Sequence, residues 1–71
     1  MSIKVGQVYE TKSGLRYIVT CVRTYNICIL YDTGYCMGVP PSDMNKIYID
    51  KLIAEYPTWK EAINSKEFKN E

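Results

Sequence analysis

Hydrophobic and polar residues alternate through the first forty positions of the chain, and this period of two predicts β-strands. The alternation is clearest where Leu15, Tyr17 and Val19 fall on one face and polar residues interrupt the other. Four segments show the pattern: 3–10, 15–24, 26–31 and 35–39. We therefore expect four short strands in this part of the chain.

Turn residues separate these four segments. Residues 11–14 end in Gly14, and residues 32–34 form the Asp-Thr-Gly sequence of a three-residue hairpin loop. Pro40 and Pro41 follow the fourth segment and cannot donate hydrogen bonds to a ladder, so the strand should end there. Short turns of this kind favour antiparallel pairing between neighbouring strands.

Residues 42–56 fit two patterns. Met44, Ile47 and Leu52 have helical spacing, whereas Ile49 and Ile53 belong with other residues typical of strands. We favour a turn at 43–46 followed by extended chain through 52–56, and a helix is the alternative.

The C-terminal segment predicts a helix over about 58–68. Thr58 and Glu61 form a T-x-x-E capping box, in which each side chain accepts from the other residue's backbone amide. Ala62 lies on the apolar stripe that follows. We expect Trp59 to anchor this helix on the sheet and Phe68 to anchor its last turn.

Together these elements predict one domain over 1–71, with a β body at about 3–56 and the helix behind it. The fold class is mainly β, with four or five strands in a small curled antiparallel sheet or an SH3-like barrel, and the SH3-like barrel is our first choice. An OB-type barrel normally needs more residues, so it ranks lower.

Two stretches of the sequence resemble known proteins. The first is K-x-G-x-x-Y followed by G-x-x-Y-x-V, formed by Lys4, Gly6, Tyr9, Gly14, Tyr17 and Val19. It resembles the first hairpin of many small SH3-like domains. The second, EYPTWKEAINSKEF at 55–68, resembles the tails of small uncharacterised phage and prophage proteins of Gram-positive bacteria. The resemblance implies a mobile-element origin and assigns no activity to these residues.

The composition argues against metal, cofactor and enzyme chemistry. There is no histidine, and the three cysteines (Cys21, Cys28 and Cys36) contain no C-x-x-C pair. We expect free thiols, no metal site, no cofactor and no catalytic residues. The four glycines are scattered rather than gathered in a phosphate loop, which further favours a non-enzymatic protein.

No apolar run approaches the roughly 20 residues of a membrane-spanning helix, and the N-terminal residues do not resemble a signal peptide. The sequence therefore predicts a soluble, cytoplasmic protein that does not enter membranes.

The seven tyrosines suggest a protein-binding surface, because tyrosine adds contact area at low entropic cost. Tyr25, Tyr31, Tyr35 and Met37 cluster around the second and third predicted turns and are the candidate partner-binding residues. The predicted function is an accessory protein that binds another protein, as an interaction module or as an inhibitor of a host protein.

Two alternatives remain open at this point. Lys4, Lys12, Arg16 and Arg23, with neighbouring tyrosines, are candidates for binding single-stranded nucleic acid. The formal net charge of +1 is small for a polyanion binder. A homo-oligomer that pairs edge strands is the third interpretation, since a domain this small gains core by association.

Overall fold

The computed structural model describes residues 3–43, 47 and 49–69. Within these residues the structure has five strands, a 3₁₀ turn and two short C-terminal helices, and Ile47 is also helical. In chain order the strands, turn and C-terminal helices are β1 (Gln7–Glu10), β2 (Arg16–Val22), β3 (Ile27–Tyr31), β4 (Cys36–Val39), the 3₁₀ turn (Pro41–Asp43), β5 (Lys51–Glu55), α1 (Trp59–Ile63) and α2 (Lys66–Lys69).

The five strands form one antiparallel sheet in the order β4-β3-β2-β1-β5. The prediction of a mainly β fold with a helical C-terminus is confirmed. The SH3-like barrel, which was the first choice from the sequence, is not formed: the sheet is open, because β4 and β5 are its two edges and do not pair with each other. The register places Tyr17 of β2 between Tyr9 of β1 and Tyr31 of β3.

The ambiguous segment contains features of both predictions: Ile47 is helical, and a strand follows it. The expected extended chain at 52–56 is confirmed, since β5 covers Lys51–Glu55 and pairs with β1. The predicted turn at 43–46 lies largely outside the described residues.

Both faces of the sheet are covered. On one face, here called the tyrosine face, the buried side chains are Ile3, Tyr9, Tyr17, Val19, Ile27, Ile29, Val39 and Ile47. On the other, the helix face, they are Val8, Ile18, Ala62 and Phe68. The alternation of Tyr17 and Ile18 therefore buries the central strand β2 on both sides, with exposures of 1% and 0%.

The C-terminal helix is divided into two parts, which differs from the continuous helix expected over 58–68. Thr58 caps α1 as predicted, because its Oγ1 accepts the Glu61 amide at 3.2 Å. Ser65 then interrupts the helix: its Oγ donates to the Ala62 carbonyl and accepts the Phe68 amide at 3.2 Å. The buried hydroxyl thus ends one helix and starts the next.

Trp59 does not anchor the helix, and this expectation was wrong. Its side chain is 38% exposed, and the Lys60 ammonium lies 6.0 Å from its ring centre. Ala62 and Phe68 are buried on the helix face instead. The first turn of α1 faces outward, so the residues that dock lie one turn later and in α2.

Polar contacts also hold α2 to the sheet. The Tyr56 hydroxyl donates to the Glu67 carboxylate at 2.6 Å, and the Arg16 guanidinium donates to the Glu67 carbonyl. The hydrogen bond raises the pKa of Tyr56 and lowers the pKa of Glu67. Glu67 therefore contacts the sheet through both its side chain and its backbone.

Gly6 allows the chain to enter the sheet. Its φ is +93°, and its amide donates to the Val19 carbonyl at 2.9 Å. The Tyr56 amide in turn donates to the Gly6 carbonyl at 3.0 Å. A Cβ at this position would lie 2.1 Å from the Tyr56 carbonyl oxygen, so no larger residue fits without moving the backbone.

Gly6→Ala is expected to lower the free energy of unfolding by more than about 2 kcal/mol, since the clash adds to the left-handed penalty of ~1 kcal/mol. Gly14→Ala is the matched control: it has the same positive φ but open space around the added Cβ. Urea unfolding of both variants makes the comparison. Equal losses would mean that the close approach to Tyr56 contributes nothing.

Phe68→Ala is expected to cost about 3 kcal/mol, as is typical of a large side chain removed from a core. Trp59→Ala, which removes an even larger ring, should cost less than about 1 kcal/mol, because that ring is partly exposed. Thermal or urea unfolding measures both. A larger loss at Trp59 than at Phe68 would restore the tryptophan as the anchor.

Candidate functional site

A cavity of about 130 Å³ opens on the tyrosine face beside the β4 edge. Its apolar walls are Ile29 from β3, Met37 and Val39 from β4, and Ile47 from the segment before β5. Met37 pairs with Ile29, so both side chains leave the sheet on the same side. Residues from three separate parts of the chain thus enclose this space.

Polar groups line the rest of the cavity. They are the rings of Tyr17 and Tyr31 and the carboxylates of Asp43 and Asp50. The Tyr17 hydroxyl donates to Asp50 Oδ2 at 2.7 Å. The Asp50 amide donates to the Ile47 carbonyl at 3.1 Å, a turn that brings the carboxylate back over the sheet. The result is an apolar pocket with two acidic side chains in its lining.

Four tyrosine rings form a row that leads from the core to the surface. Tyr9 and Tyr17 stack with ring centres 5.5 Å apart, and Tyr31 meets Tyr17 edge to face at 5.4 Å. Tyr35, in the turn before β4, lies 6.2 Å from Tyr31 and is 62% exposed. The strand register produces this row, because it aligns one tyrosine on each of three neighbouring strands.

The cavity tyrosines are held in their neutral form. Burial raises the pKa of Tyr17, and the hydrogen bond to Asp50 and the negative charge of that carboxylate raise it further. Burial also raises the pKa of Tyr31, with smaller effects from Asp50 and Tyr35. Both phenols therefore remain protonated and able to donate hydrogen bonds well above neutral pH.

The structure brings together three of the four predicted partner-binding residues. Tyr31 and Met37 line the cavity, and Tyr35 stands at its side against Tyr31. Tyr25 lies in the β2–β3 turn, at the opposite end of β3, and is 83% exposed. The site therefore comprises Tyr31, Tyr35 and Met37 without Tyr25.

The four candidate nucleic-acid contacts do not form one patch. Arg16 is an internal partner, since its Nε lies 3.0 Å from Glu10 Oε2 and its guanidinium also binds the Glu67 carbonyl. Arg16 and Arg23 lie at opposite ends of β2, about 23 Å apart at the usual rise per residue. Lys12 lies at the Arg16 end, and Lys4 precedes β1 at the Arg23 end.

Sequence reasoning missed the residues that complete the cavity. Asp43, Ile47 and Asp50 all come from the segment where strand and helix patterns conflicted. No local signal linked Asp50 to Tyr17, which is 33 positions away. The one usable hint was general: a tyrosine at the centre of a buried strand needs an acceptor for its hydroxyl.

The three cysteines are free, with Cys21 and Cys28 half-buried and Cys36 exposed. Within the part of the chain that the structure describes, no group of three or more acidic or cysteine side chains is placed to hold a metal ion. Across the same residues, no helix has the length and apolar character needed to cross a bilayer.

Comparison with known proteins finds no similar family model, no similar curated protein and no similar solved structure. The assignment of the site therefore rests on geometry and chemistry. The resemblance to phage and prophage proteins, carried by the two stretches at 4–19 and 55–68, stays an expectation.

The stability of the fold is expected to decrease as pH rises above about 10, the ordinary tyrosine value. Because the pKa of Tyr17 is higher in the folded state, the unfolded chain loses this proton first and is favoured as pH rises. Tyr17→Phe removes this titration and should flatten the decline. The free energy of unfolding, measured by urea between neutral and alkaline pH, gives the slope.

Tyr25→Phe is the matched control for that measurement, since it removes one hydroxyl from a ring that is almost fully exposed. It should keep the wild-type slope. If Tyr17→Phe and Tyr25→Phe have the same alkaline slope, burial and the Asp50 contact do not raise the pKa of Tyr17 in the folded protein.

Proposed function

We propose that this protein is a non-enzymatic protein-interaction module that binds its partner on the tyrosine face, over the cavity and the adjoining Tyr35. One observation carries the proposal: an open apolar cavity lies directly beside exposed aromatic and thioether side chains. Tyr35 and Met37 are 62% and 39% exposed. Aromatic and methionine side chains around a pocket are typical of the centre of a protein interface.

The size of the cavity suits a single side chain. At about 130 Å³ it is close to the roughly 150 Å³ cavity that holds a benzene molecule in another protein. A pocket of this size receives one anchor residue of a partner, while Tyr35 supplies flat contact area around it. An anchor in a pocket with a surrounding rim is the usual arrangement of a binding hot spot.

The charges in the lining favour a basic anchor. Two carboxylates, Asp43 and Asp50, line the cavity, and the described lining residues include no lysine or arginine. Tyr31 contributes a ring that a cation can contact, whereas the Tyr17 ring is buried between Tyr9 and Tyr31. A lysine or arginine would place its alkyl stem against Ile29 and Met37 and its charge near the carboxylates.

The nature of the partner follows from the resemblance. If the chain has the mobile-element origin that its two stretches imply, the partner is a bacterial host protein and this module is its adaptor or inhibitor. The nucleic-acid alternative has less support, because its four cations lie at both ends of the sheet and Arg16 is bound internally.

The double variant Tyr35→Ala/Met37→Ala is expected to recover at least tenfold less partner than the wild type. Both side chains are partly exposed, so the sheet should remain folded. The measurement is a tagged pull-down from bacterial lysate, run with and without nuclease and read by quantitative mass spectrometry. Circular dichroism of each variant verifies the fold.

Tyr25→Ala is the matched control, since it removes an exposed tyrosine at the opposite end of β3 and should keep the partner. Asp50→Asn tests the charge: it keeps an oxygen that accepts the Tyr17 hydroxyl but removes the negative charge, so a basic anchor should bind more weakly. Full recovery by the double variant would contradict the proposal. Recovery that disappears with nuclease would favour the nucleic-acid alternative.

A further inference from the structure

Within the described part of the chain, the edge strand β4 carries no charged side chain that would block pairing; it is short, and Pro40 and Pro41 follow it. Among the described strands it pairs only with β3, and Cys36, Met37 and Gly38 are exposed. No charged residue occurs from 33 to 42. The other edge, β5, begins and ends with the exposed charged residues Lys51 and Glu55, which is how proteins usually block pairing at an edge.

The hydrogen bonds of the β3–β4 ladder determine which backbone groups of β4 point outward. The Tyr31 amide donates to the Tyr35 carbonyl at 2.8 Å, so this pair is a hydrogen-bonded one. Antiparallel pairs alternate, and the next pairs in register are Leu30 with Cys36 and Ile29 with Met37. Met37 and Val39 therefore turn their amide and carbonyl groups toward β3, whereas Cys36 and Gly38 turn theirs away from the sheet.

We infer that two copies of this chain pair through β4 in antiparallel register, with Cys36 of one subunit opposite Gly38 of the partner subunit. In each Cys36–Gly38 pair, the amide of either residue donates to the carbonyl of the other, as in any hydrogen-bonded antiparallel pair. The two-fold axis passes beside Met37, which faces Met37 of the partner subunit. The outward amides and carbonyls of β4 in one subunit therefore match those of β4 in the partner subunit.

Charge and size favour a second copy over another occupant. Two uncharged strands pair without repulsion, and the exposed backbone edge of each β4 becomes covered at the junction. Tyr35 would lie across from Val39 of the partner subunit, the next position in the same register. A domain of 71 residues also gains apolar contacts that its own small core lacks.

The pairing has a consequence for the tyrosine face. Side chains that oppose each other in an antiparallel pair leave the sheet on the same side, so the two-fold axis is perpendicular to the sheet. The cavities of both subunits then open on one side of a continuous sheet, flanking the axis. This inference does not rest on the proposed function, since the chain alone forms the dimer.

Sedimentation equilibrium of the purified chain tests the inference. The expected mass is twice 8.2 kDa at high concentration. Cys36→Lys, which adds the charge that protected edges carry, should raise the dissociation constant at least tenfold. Thr33→Lys, in the turn outside the strand, is the matched control and should keep the dimer. A monomer at all concentrations up to the millimolar range would overturn the inference.

Cross-linking tests the register. The test uses a chain in which alanine replaces all three native cysteines. In this chain, Met37→Cys should form a disulfide-linked dimer on oxidation with glutathione disulfide. The reason is that the Cα atoms of opposed residues in a non-hydrogen-bonded pair lie about 4.5 Å apart. A chain that keeps only Cys36 should not form this cross-link, since Cys36 and Cys36 of the partner subunit are diagonal neighbours at roughly 7–8 Å. Cross-linking at 36 but not at 37 would overturn this pairing.

Each cysteine variant is also studied in its reduced form, so that a folding defect can be told apart from a wrong register. Circular dichroism and the sedimentation mass of the reduced variants provide that comparison. A folded, dimeric Met37→Cys chain that resists cross-linking overturns the register. Failure of the pull-down bears on the proposed function alone, because the sedimentation experiment contains no partner.

Discussion

The hydrogen bond from Tyr17 to Asp50 is the contact on which the tyrosine face depends. Tyr17 lies on the central strand with its ring buried, so its hydroxyl must find an acceptor inside the protein. Asp50 supplies one at 2.7 Å and holds the chain before β5 over the sheet. Ile47 is buried against that face as a result, and the cavity forms between this segment and β4.

Local patterns in the sequence were enough to predict most of the fold. Alternation identified β1 to β4, and the capping box placed the start of α1 at Thr58. The patterns failed where tertiary contacts decide. Trp59 and Ala62 are three residues apart and lie on the same side of α1, so the local pattern does not distinguish them. Which of them is buried depends on where along its length the helix contacts the sheet. Ser65 divides the helix for a similar reason: its hydroxyl is buried and must bond to nearby backbone groups.

The candidate site was predictable only in part. Tyr31, Tyr35 and Met37 lie close together because a short hairpin joins β3 to β4, and hairpins are visible in sequence. Tyr25 was grouped with them by proximity along the chain, yet a strand of five residues separates it from the third turn. Asp50 is 33 positions from Tyr17 in the sequence, so no local pattern could place it at the site. The cavity and the uncharged β4 edge thus meet at Met37, which takes part in both.

A double-mutant cycle between Tyr17 and Asp50 tests this account most directly. Urea unfolding of Tyr17→Phe, Asp50→Ala and the combined variant gives the coupling free energy between the two side chains. A hydrogen bond to a charged acceptor predicts a favourable coupling of about 1.5–3 kcal/mol. A coupling near zero, with the single losses simply adding, would show that Asp50 does not hold its segment to the sheet, and the cavity would lose its structural basis.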